Sequence, residues 1–473
     1  MYSLIRTQKG PTAIYFENNF YRLQKQNKNG TKRWVCTNRS CSCSLLIKDE
    51  RLQIVRGQHN HTNEKPSLSI IQTIDNLRQT VCSNVSKPIT QIYNEILSTY
   101  RQNNGTAELV PMFDMLRSTL YRDRATVLPK LPHSLHRLIL PNVFIKNLYN
   151  ENMLFCDKKR PSRILGFASI TAIKQLAEST IWNADGTFKT APKLFSQSYT
   201  IHAHNEFSMK PIVFSALTNK HEKTYSSLLQ SLIIYARTNN LILCPTSILI
   251  DFELSSFNAF KKAFPNANIL FCHFHFAKNI MKHVKKLHLP DELQKESVKR
   301  QLANILSLPL LPINKIIAAF HDAADSLVII NRNFQTFVDY VEKTYITSPK
   351  FNPVNWNHYN TLSNRPRTNN HVEGYHRYLN SRMTAKPNIW KWIMHIQKDD
   401  EQTIIRLEQE NKQNRSTKPR KKKNLMHDIS LSNLKASYEQ NLIDIKEYQR
   451  KIRVISYSYI NALENNTTND DND

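Results

Sequence analysis

The chain has 473 residues, enough for two to four domains, and its composition is that of a globular protein. Its 65 lysines and arginines outnumber 38 aspartates and glutamates, and the resulting net charge of +27 predicts a polyanionic partner. No apolar run reaches the roughly 18–20 residues that cross a bilayer, and the N-terminus lacks the apolar core of a signal peptide, so nucleic acid is expected rather than a membrane. Seven cysteines, clustered only at Cys36, Cys41 and Cys43, do not fit a disulfide framework and indicate a reducing compartment.

Residues 1–65 are predicted to form a small β-rich module. Four short runs are strand candidates, namely FYRL, RWVC, SLLI and LQIV. The first two are separated by a polar stretch that ends in Asn29-Gly30, a strong turn signal. The pattern therefore predicts an antiparallel arrangement of short strands.

The same module contains four residues with the spacing of a zinc site. Cys36 and Cys41 are followed, after 17 residues, by His59 and His61. Two histidines separated by one residue project to the same side of an extended chain, so both can reach one ion. A tetrahedral zinc ion would hold together a module too small to sustain a core alone. The alternative is a cluster of free thiols beside two surface histidines.

Residues 66–135 are predicted to be helical. The run PITQIYNEILSTYRQ places four apolar side chains on one helix face: Ile89, Ile92, Ile96 and Leu97. A polar break then leads into LVPMFDMLRSTLYRDR. Two short helices around a turn fit a helix-turn-helix DNA-binding domain, and they fit a small packing bundle equally well.

From residue 160 to residue 285 the pattern changes to alternating strands and helices. Five strand candidates, with helices after the third and fourth, predict an α/β fold with a mixed sheet. The candidates are STIWNAD, QSYTIHAH, KPIVFSAL, TSILIDF and ANILFCHF. Residues 286–348 are predicted to be an all-helical insertion, after which the sheet domain resumes over residues 349–385. Residues 386–473 are predicted to contain helices, a basic linker and a disordered tail.

Three acidic residues in this part of the chain need an explanation. Asp185 in IWNADGTF and Asp251 in ILIDFEL end or interrupt apolar runs, where an unpaired charge is costly to bury. Asp185 and Glu373 each precede one of only seven glycines, Gly186 and Gly374, which we expect where backbone passes close to another group. Three carboxylates on a basic protein predict phosphodiester chemistry with two divalent ions.

Each carboxylate also has a purely structural interpretation. Asp185 with its following glycine fits a turn, and Asp251 fits the cap of the helix expected in SSFNAFKKAF. Asn370 and Glu373 fit a capping box. Glu253 is a rival metal ligand, because it would lie on the same strand face as Asp251.

A series of local motifs resembles the Mutator-like (MULE) DNA transposases. DGTFKTAP, SYTIHAH preceded by Gln197, DFE, FPNA, CHFHF and RTNNHVEGYHRYLN follow in this order over roughly residues 180–380. The resemblance implies an RNase H-like mixed-sheet catalytic domain in which Asp185, Asp251 and Glu373 bind Mg²⁺ or Mn²⁺. It also implies hydrolysis at transposon ends and attack of the freed 3′-hydroxyl on target DNA.

The family also carries a Cys-x-x-His motif after the second acid, matched here by Cys272 and His275. If a strand continues through CHFHF, these two side chains point to opposite faces, and they share a metal ion only if the chain turns there. The other interpretation is a core cysteine beside a surface or active-site histidine.

The N-terminal module resembles a FLYWCH-type finger of the WRKY-like zinc class, through FYRL, the tryptophan and cysteine of RWVC, and HNH. The resemblance implies four zinc ligands: Cys36, Cys41, His59 and His61. Cys43 lies where this family usually has a small residue, and it is the alternative second ligand.

Two groups of basic residues are candidates for binding double-stranded DNA. Lys32, Arg33 and Arg39 flank the zinc site and fit phosphate contacts, although such a finger can also bind protein. The second group is the lysine triplet that ends the run KPRKKK near the C-terminus.

That triplet, Lys421, Lys422 and Lys423, fits a nuclear localisation signal, so a nuclear protein is expected. It fits equally a solvated linker that binds DNA backbone without sequence preference. A homo-oligomer is expected for a transposase, since two transposon ends must be paired. The second function considered, from a different class, is a domesticated zinc-finger regulator of transcription without catalysis.

Overall fold

The fold is that of a computed structural model of the 473-residue chain. The structure describes residues 2–6, 12–61, 67–85, 87–205, 207–362, 370–415 and 422–465. The chain divides into two compact units, Met1–Lys130 and Leu131–Asp473.

The first unit begins with a six-stranded antiparallel sheet whose strands follow chain order. The strands are β1 (Ser3–Arg6), β2 (Thr12–Phe16), β3 (Asn19–Gln26), β4 (Lys32–Cys36), β5 (Ser44–Lys48) and β6 (Arg51–Arg56). Apolar side chains of four of these strands, including Ile14, Trp34 and Leu45, form a buried core. The last four strands are those predicted from the sequence, and β1 and β2 are additional.

Tight turns join β2 to β3, β3 to β4 and β5 to β6. Gly30 has a φ of +84° in the predicted turn between β3 and β4. The β2–β3 turn at Glu17 and Asn18 and the β5–β6 turn at Asp49 and Glu50 also have positive φ at both residues. This conformation suits the twist of a two-residue hairpin. The β2–β3 and β5–β6 turns lack the glycine that would have indicated a hairpin in the sequence.

Three helices complete the first unit: α1 (Leu68–Ser83), α2 (Ile89–Asn104) and α3 (Phe113–Val127). Their apolar faces meet around Leu77, Ile92 and Leu120. The sequence pattern predicts two helices here, so α1 is a correction. Its apolar positions are interrupted by polar side chains along the run SIIQTIDNLRQTVCS, which weakens the helical pattern.

The buried guanidinium of Arg124 on α3 holds the corner between α1 and α2. It donates hydrogen bonds to three backbone carbonyls, those of Val81, Asn84 and Lys87. The last carbonyls of a helix have no partner within the helix, and Arg124 supplies one from a third helix.

The second unit is built on a seven-stranded mixed sheet. Its strands are β7 (Leu154–Lys158), β8 (Ile164–Phe167), β9 (Ile181–Thr187), β10 (Gln197–His204), β11 (Met209–Leu217), β12 (Ser247–Ile250) and β13 (Asn268–Phe271). Their order across the sheet is β13-β12-β9-β10-β11-β8-β7. Strand β12 is parallel to both β9 and β13, and the other neighbours are antiparallel. The predicted mixed α/β arrangement is confirmed, and β7 and β8 extend it.

Helices α4 (Ile170–Glu178), α5 (Glu222–Thr238) and α6 (Leu254–Ala263) lie between strands. The helices after β13 are α7 (His273–Lys285), α8 (Pro290–Gln294), α9 (Glu296–Ser307), α10 (Ile316–Ile330), α11 (Gln335–Val341), α12 (Asn370–Arg382), α13 (Ile389–Gln413), α14 (Lys422–Glu439) and α15 (Ile445–Asn465). The last two of these helices, α14 and α15, follow most of the predicted basic linker. No helix in the described part of the chain has the length and apolarity needed to cross a membrane.

Helix α13 contributes large apolar side chains to the core. Trp390, Trp392 and Ile393 are buried, and the ring of Trp392 lies 5.9 Å from that of Phe167 on β8. The apolar face of α13 is therefore part of the core.

One ion pair of the second unit is enclosed. Lys210 on β11 contacts Glu410 on α13, with 5% and 0% of the two side chains exposed. Asn205 and Ser208 donate further hydrogen bonds to the same carboxylate. Burial lowers the pKa of Lys210, and Glu410 opposes that effect. Such a pair stabilises the fold only while both partners are present.

We expect Glu410→Ala to destabilise the protein by about 3–5 kcal/mol, because it leaves the Lys210 ammonium buried without its partner. Replacing both residues, as Lys210→Met with Glu410→Leu, should recover most of that loss. Urea-induced unfolding measured by circular dichroism tests both. As a control, Glu222→Gln in the exposed pair with Lys262 should barely move the unfolding midpoint. Equal losses of stability with Glu410→Ala and Glu222→Gln would show that burial of the Lys210–Glu410 pair does not matter.

Candidate functional site

Four metal-ligand side chains of the first unit converge at one end of its sheet. Cys36 ends β4, Cys41 follows in the next turn, and His59 and His61 follow β6, with all four ligand atoms within 4.8 Å of one another. The Sγ of Cys36 lies 3.3 Å from Nε2 of His61. The Sγ of Cys41 lies 3.4 Å from Nδ1 of His59, and the two histidine nitrogens are 3.2 Å apart.

This spacing fits a tetrahedral zinc ion. With zinc–sulfur bonds of about 2.3 Å and zinc–nitrogen bonds of about 2.0–2.1 Å, tetrahedral ligands lie about 3.3–3.8 Å apart. The measured separations of 3.2–3.4 Å are close to that range. The structure therefore brings together the four residues predicted from the sequence, as a possible Cys₂His₂ metal site.

Tyr21 supports this cluster, and the sequence patterns do not reveal it. Its hydroxyl lies 2.8 Å from Nε2 of His59, the ring nitrogen that does not face Cys41. Burial raises the pKa of Tyr21 above its ordinary value, so the hydroxyl keeps its proton. A hydrogen bond to one ring nitrogen directs the other toward the metal.

Cys43 lies outside the ligand group. It is buried in the apolar core beside Leu45, and burial raises the pKa of its thiol to about 11. Burial has the same effect at Cys41, but hydrogen bonds involving the backbone of Cys43 and the side chain of His61 outweigh it and lower the pKa of that thiol to about 7. A thiolate is the metal-binding form, so the structure favours Cys41 over Cys43.

The basic residues predicted to contact DNA from the finger differ in exposure. Lys32 is exposed on β4 and Arg39 is exposed in the turn between the two cysteines, whereas Arg33 is half-buried. Successive residues of a strand point to opposite faces, so Lys32 and Arg33 do not share one surface.

The C-terminal basic run is described only in part. Lys422 is exposed at the start of α14, inside the segment predicted to be a linker. Lys421 and the side chain of Lys423 lie outside the described residues. The nuclear localisation signal therefore stays a prediction.

In the second unit, the register of two parallel strands places two acids side by side. Ala184 of β9 pairs with Ile250 of β12, so the residues that follow them, Asp185 and Asp251, are neighbours. Asp185 is 7% exposed. Glu373 lies in the first turn of α12, which packs against β9. The sheet and this helix thus direct the three predicted acids to one region.

His275 lies between two of the acids. Its Nδ1 is 3.4 Å from Oδ1 of Asp251, and its Nε2 is 3.4 Å from Oε1 of Glu373. The histidine belongs to the first turn of α7, directly after the edge strand β13. The site therefore consists of three carboxylates and one imidazole.

Negative charge accumulates at this site. Burial raises the pKa of Asp185 to about 7; His275 opposes the shift, and Asp251 and Glu373 add to it by repulsion. Burial also raises the pKa of Glu373, against the attraction of His275. For His275 itself burial lowers the pKa, but Cys272, Asp251 and Asp185 outweigh burial and raise the pKa well above its ordinary value.

These donors fit a hard divalent cation. Mg²⁺ and Mn²⁺ bind carboxylate oxygens, and a cation relieves the repulsion among neighbouring carboxylates. Asp185, Asp251 and Glu373 would hold such ions. Among the described residues, the carboxylate oxygens of these three acids do not all lie within 4.8 Å of one another. The imidazole of His275 lies next to Asp251 and Glu373.

The Cys-x-x-His motif starts a helix, which corrects the strand expected through CHFHF. Strand β13 ends at Phe271 and α7 begins at His273, so Cys272 is the N-cap residue of this helix and His275 lies in its first turn. Cys272 is fully buried and packs with Leu249. Among the described residues the pair belongs to no larger cluster of metal ligands.

The structural alternatives for the acids have different outcomes. Asp185 lies within β9 rather than in a turn, and Asp251 does not cap α6, whose N-cap residue is Glu253. Glu253, the rival ligand, forms an ion pair with Lys220 at 3.4 Å. The capping box stays a prediction, because the side chain of Asn370 lies outside the described residues.

The two glycines beside the acids have different surroundings. A Cβ on Gly186 would lie 2.6 Å from Oε1 of Gln197, a buried side chain that donates a hydrogen bond to Tyr225. The group that the backbone of Gly186 passes close to is therefore the side chain of Gln197. A Cβ on Gly374 would meet nothing within 4 Å, so the backbone beside the third acid faces open space.

Two backbone hydrogen bonds join the loop after β9 to the loop after α12. The N–H of Lys386 donates to the carbonyl of Lys189, and the N–H of Lys193 donates to the carbonyl of Pro387, each at 2.8 Å. Because β9 carries the first acid and α12 the third, this loop pair fixes the relative position of the two elements.

Asp399 on α13 is a second residue that sequence reasoning missed. It accepts a hydrogen bond at 2.6 Å from the Tyr375 hydroxyl and one at 3.3 Å from the Tyr378 hydroxyl, both on α12. Burial raises the pKa of Asp399 to about 6, and the two tyrosines limit that shift. The available signal was a pair of adjacent aspartates, Asp399 and Asp400, in a helix that begins with tryptophans and isoleucines.

Comparison with known families finds two domain models that match parts of the chain. Residues 4–61 match the FLYWCH zinc finger domain, and residues 181–279 match the MULE transposase domain. The chain combines these two domains. The MULE transposase domain match includes Asp185, Asp251 and His275 and ends before Glu373, while the finger match contains the whole Cys₂His₂ cluster. No curated protein matches the sequence.

We expect the FLYWCH finger to bind one zinc ion and Cys41→Ser to abolish that binding, because a thiolate ligand is removed. Cys43→Ala is the matched control and should keep the metal, since Cys43 lies outside the ligand group. Zinc is measured by mass spectrometry on the purified full-length protein. Zinc loss with Cys43→Ala and retention with Cys41→Ser would reverse the assignment.

Tyr375→Phe should destabilise the protein by about 1–3 kcal/mol, because it removes a donor from the buried carboxylate of Asp399. Tyr378→Phe removes the same chemical group at the longer distance of 3.3 Å and should have a smaller effect. Calorimetric unfolding compares the two variants. A larger loss of stability with Tyr378→Phe would show that Tyr375 is not the main partner.

Proposed function

We propose that the chain is a DNA transposase of the Mutator-like class, which cleaves and transfers DNA strands with Asp185, Asp251 and Glu373. The observation that carries this proposal is the convergence of these acids on two paired strands and one helix, around His275. The match to the MULE transposase domain and the net charge of +27 support it, since the first names the domain and the second suits a polyanionic substrate.

We further infer that the second unit is RNase H-like. Support comes from its strand connections, in which three antiparallel strands, β9 to β11, precede two parallel strands, β12 and β13. Helices α5 and α6 make the crossovers to the parallel strands. Helices α8 to α11 lie in the chain between the second and third acids, as expected for the helical insertion.

Mg²⁺ or Mn²⁺, when bound, would activate water or a 3′-hydroxyl and stabilise the leaving oxygen. The chain's own residues hold and orient the groups around the reaction. The sheet fixes Asp185 and Asp251, and α12 carries Glu373 while its tyrosines are held by Asp399. His275 places an imidazole beside two of the carboxylates, where it limits their repulsion.

In this proposal the FLYWCH finger binds the terminal inverted repeats of the element as double-stranded DNA. The exposed side chains of Lys32 and Arg39 would contact phosphates. The protein would act in the nucleus as a homo-oligomer, since two transposon ends are processed together.

The test is incubation of the full-length protein with its element's terminal repeats and Mg²⁺ or Mn²⁺. Cleavage and strand-transfer products are expected from the wild type. Asp251→Asn should reduce them by roughly 10²–10³-fold or more, the loss typical of removing a preorganised electrostatic group. Sequencing gels report both products.

Glu253→Gln is the matched control, because it also removes one carboxylate charge, two residues after Asp251. The carboxylate of Glu253 forms an ion pair with Lys220. It should retain most of the activity, and a loss as large as that of Asp251→Asn would make Glu253 the ligand. Tight binding of the repeats without cleavage under either metal would reject the enzyme and favour a zinc-finger regulator.

A further inference from the structure

Exposed lysines continue from the acidic site along one face of α7. Lys278 and Lys282 lie three and seven residues after His275. Lys286, eleven residues after it, directly follows the last residue of α7 and keeps a right-handed helical backbone, and all three lysines are exposed. At 3.6 residues per turn, the angular positions of these three side chains around the helix axis lie within about 60° of that of His275. The face that presents His275 to the acids therefore carries positive charge beyond them.

The opposite face of α7 anchors the helix in the core. Phe276, Ile280 and Val284 are fully buried. The ring of His283 stacks on Tyr340, with centroids 3.6 Å apart. Because the helix is packed along its length, its lysines are presented from a rigid element rather than from a loop.

These lysines differ from the exposed lysines of the same unit that are engaged in ion pairs. Lys295 and Lys451 form ion pairs with neighbouring glutamates on their own or adjoining helices, at 2.8 Å each. In the described part of the chain, none of the three lysines on the outer face of α7 has a carboxylate oxygen within ion-pair distance. Their charge is therefore available to an anionic partner.

We propose that this face of α7 binds the phosphate backbone of duplex DNA and leads the duplex to the acidic site. The inference rests on the proposed function, and it names a DNA surface separate from the finger. From His275 to Lys286 the helix rises about 16 Å, at about 1.5 Å per residue. That length covers about five base pairs of duplex at about 3.4 Å each. Lysines bind phosphates as point charges, so this surface has no sequence preference.

The test is the salt dependence of DNA binding by the full-length protein, without added Mg²⁺ or Mn²⁺. The variant replaces Lys278, Lys282 and Lys286 by alanine, and the probe is a 30-base-pair duplex. The slope of log K against log salt should become shallower by about 0.9 for each phosphate that is no longer neutralised, or about 2.7 for three. Replacing the same three lysines by arginine should keep the wild-type slope.

The matched control removes the same net charge at scattered exposed positions: Lys159, Lys174 and Lys343. A change of slope no larger than that of the control would overturn the proposal, because a general loss of charge would then explain it. The readout does not require cleavage. A wild type that does not cleave, with the slope change present, would reject the transposase activity and leave the DNA surface standing. If the wild type cleaves DNA and the lysine variant shows no change of slope, the transposase activity stands and the DNA surface on α7 is rejected.

Discussion

The parallel pairing of β9 with β12 is the constraint on which the acidic site depends. Because Ala184 is opposite Ile250, the following residues of the two strands must be neighbours, and both are aspartates. Their proximity is electrostatically costly, and burial of Asp185 increases that cost. The surroundings offset it with an imidazole, and a bound cation would offset it further. The fold thus imposes an arrangement of negative charge that favours a positively charged partner.

The two units achieve rigidity by different means. In the finger, a small apolar core is supplemented by four ligands that converge from β4, the turn after it and the segment after β6. In the second unit, a seven-stranded sheet and long helices supply a large core, so acids can be held by backbone register and by buried hydrogen bonds. A bound zinc ion would therefore complete the structure of the first unit, whereas in the proposed function a metal ion completes the chemistry of the second.

The sequence revealed what local spacing encodes and missed what tertiary contacts decide. The zinc ligands and the strands β9 to β12 follow from short patterns in the chain. The change from β13 to α7 does not, because CHFHF continues an apolar run that suits strand and helix alike. The roles of Tyr21 and Asp399 could not be predicted, because their hydrogen-bond partners lie 38 and 24 positions away in the sequence. Local periodicity does not indicate contacts at such separations. The turns at Asn18 and Glu50 lack glycine, and their left-handed residues carry no strong signal.

Two hydrogen bonds between peptide groups join the loops that meet at Lys189 and Lys386. A junction of this kind does not depend on which side chains are present, provided that the donor is not replaced by proline. The exposed side chains of both loops can therefore change without displacing β9 from α12. A lineage of such proteins is free to vary what these loops touch while the geometry of its carboxylates stays constant.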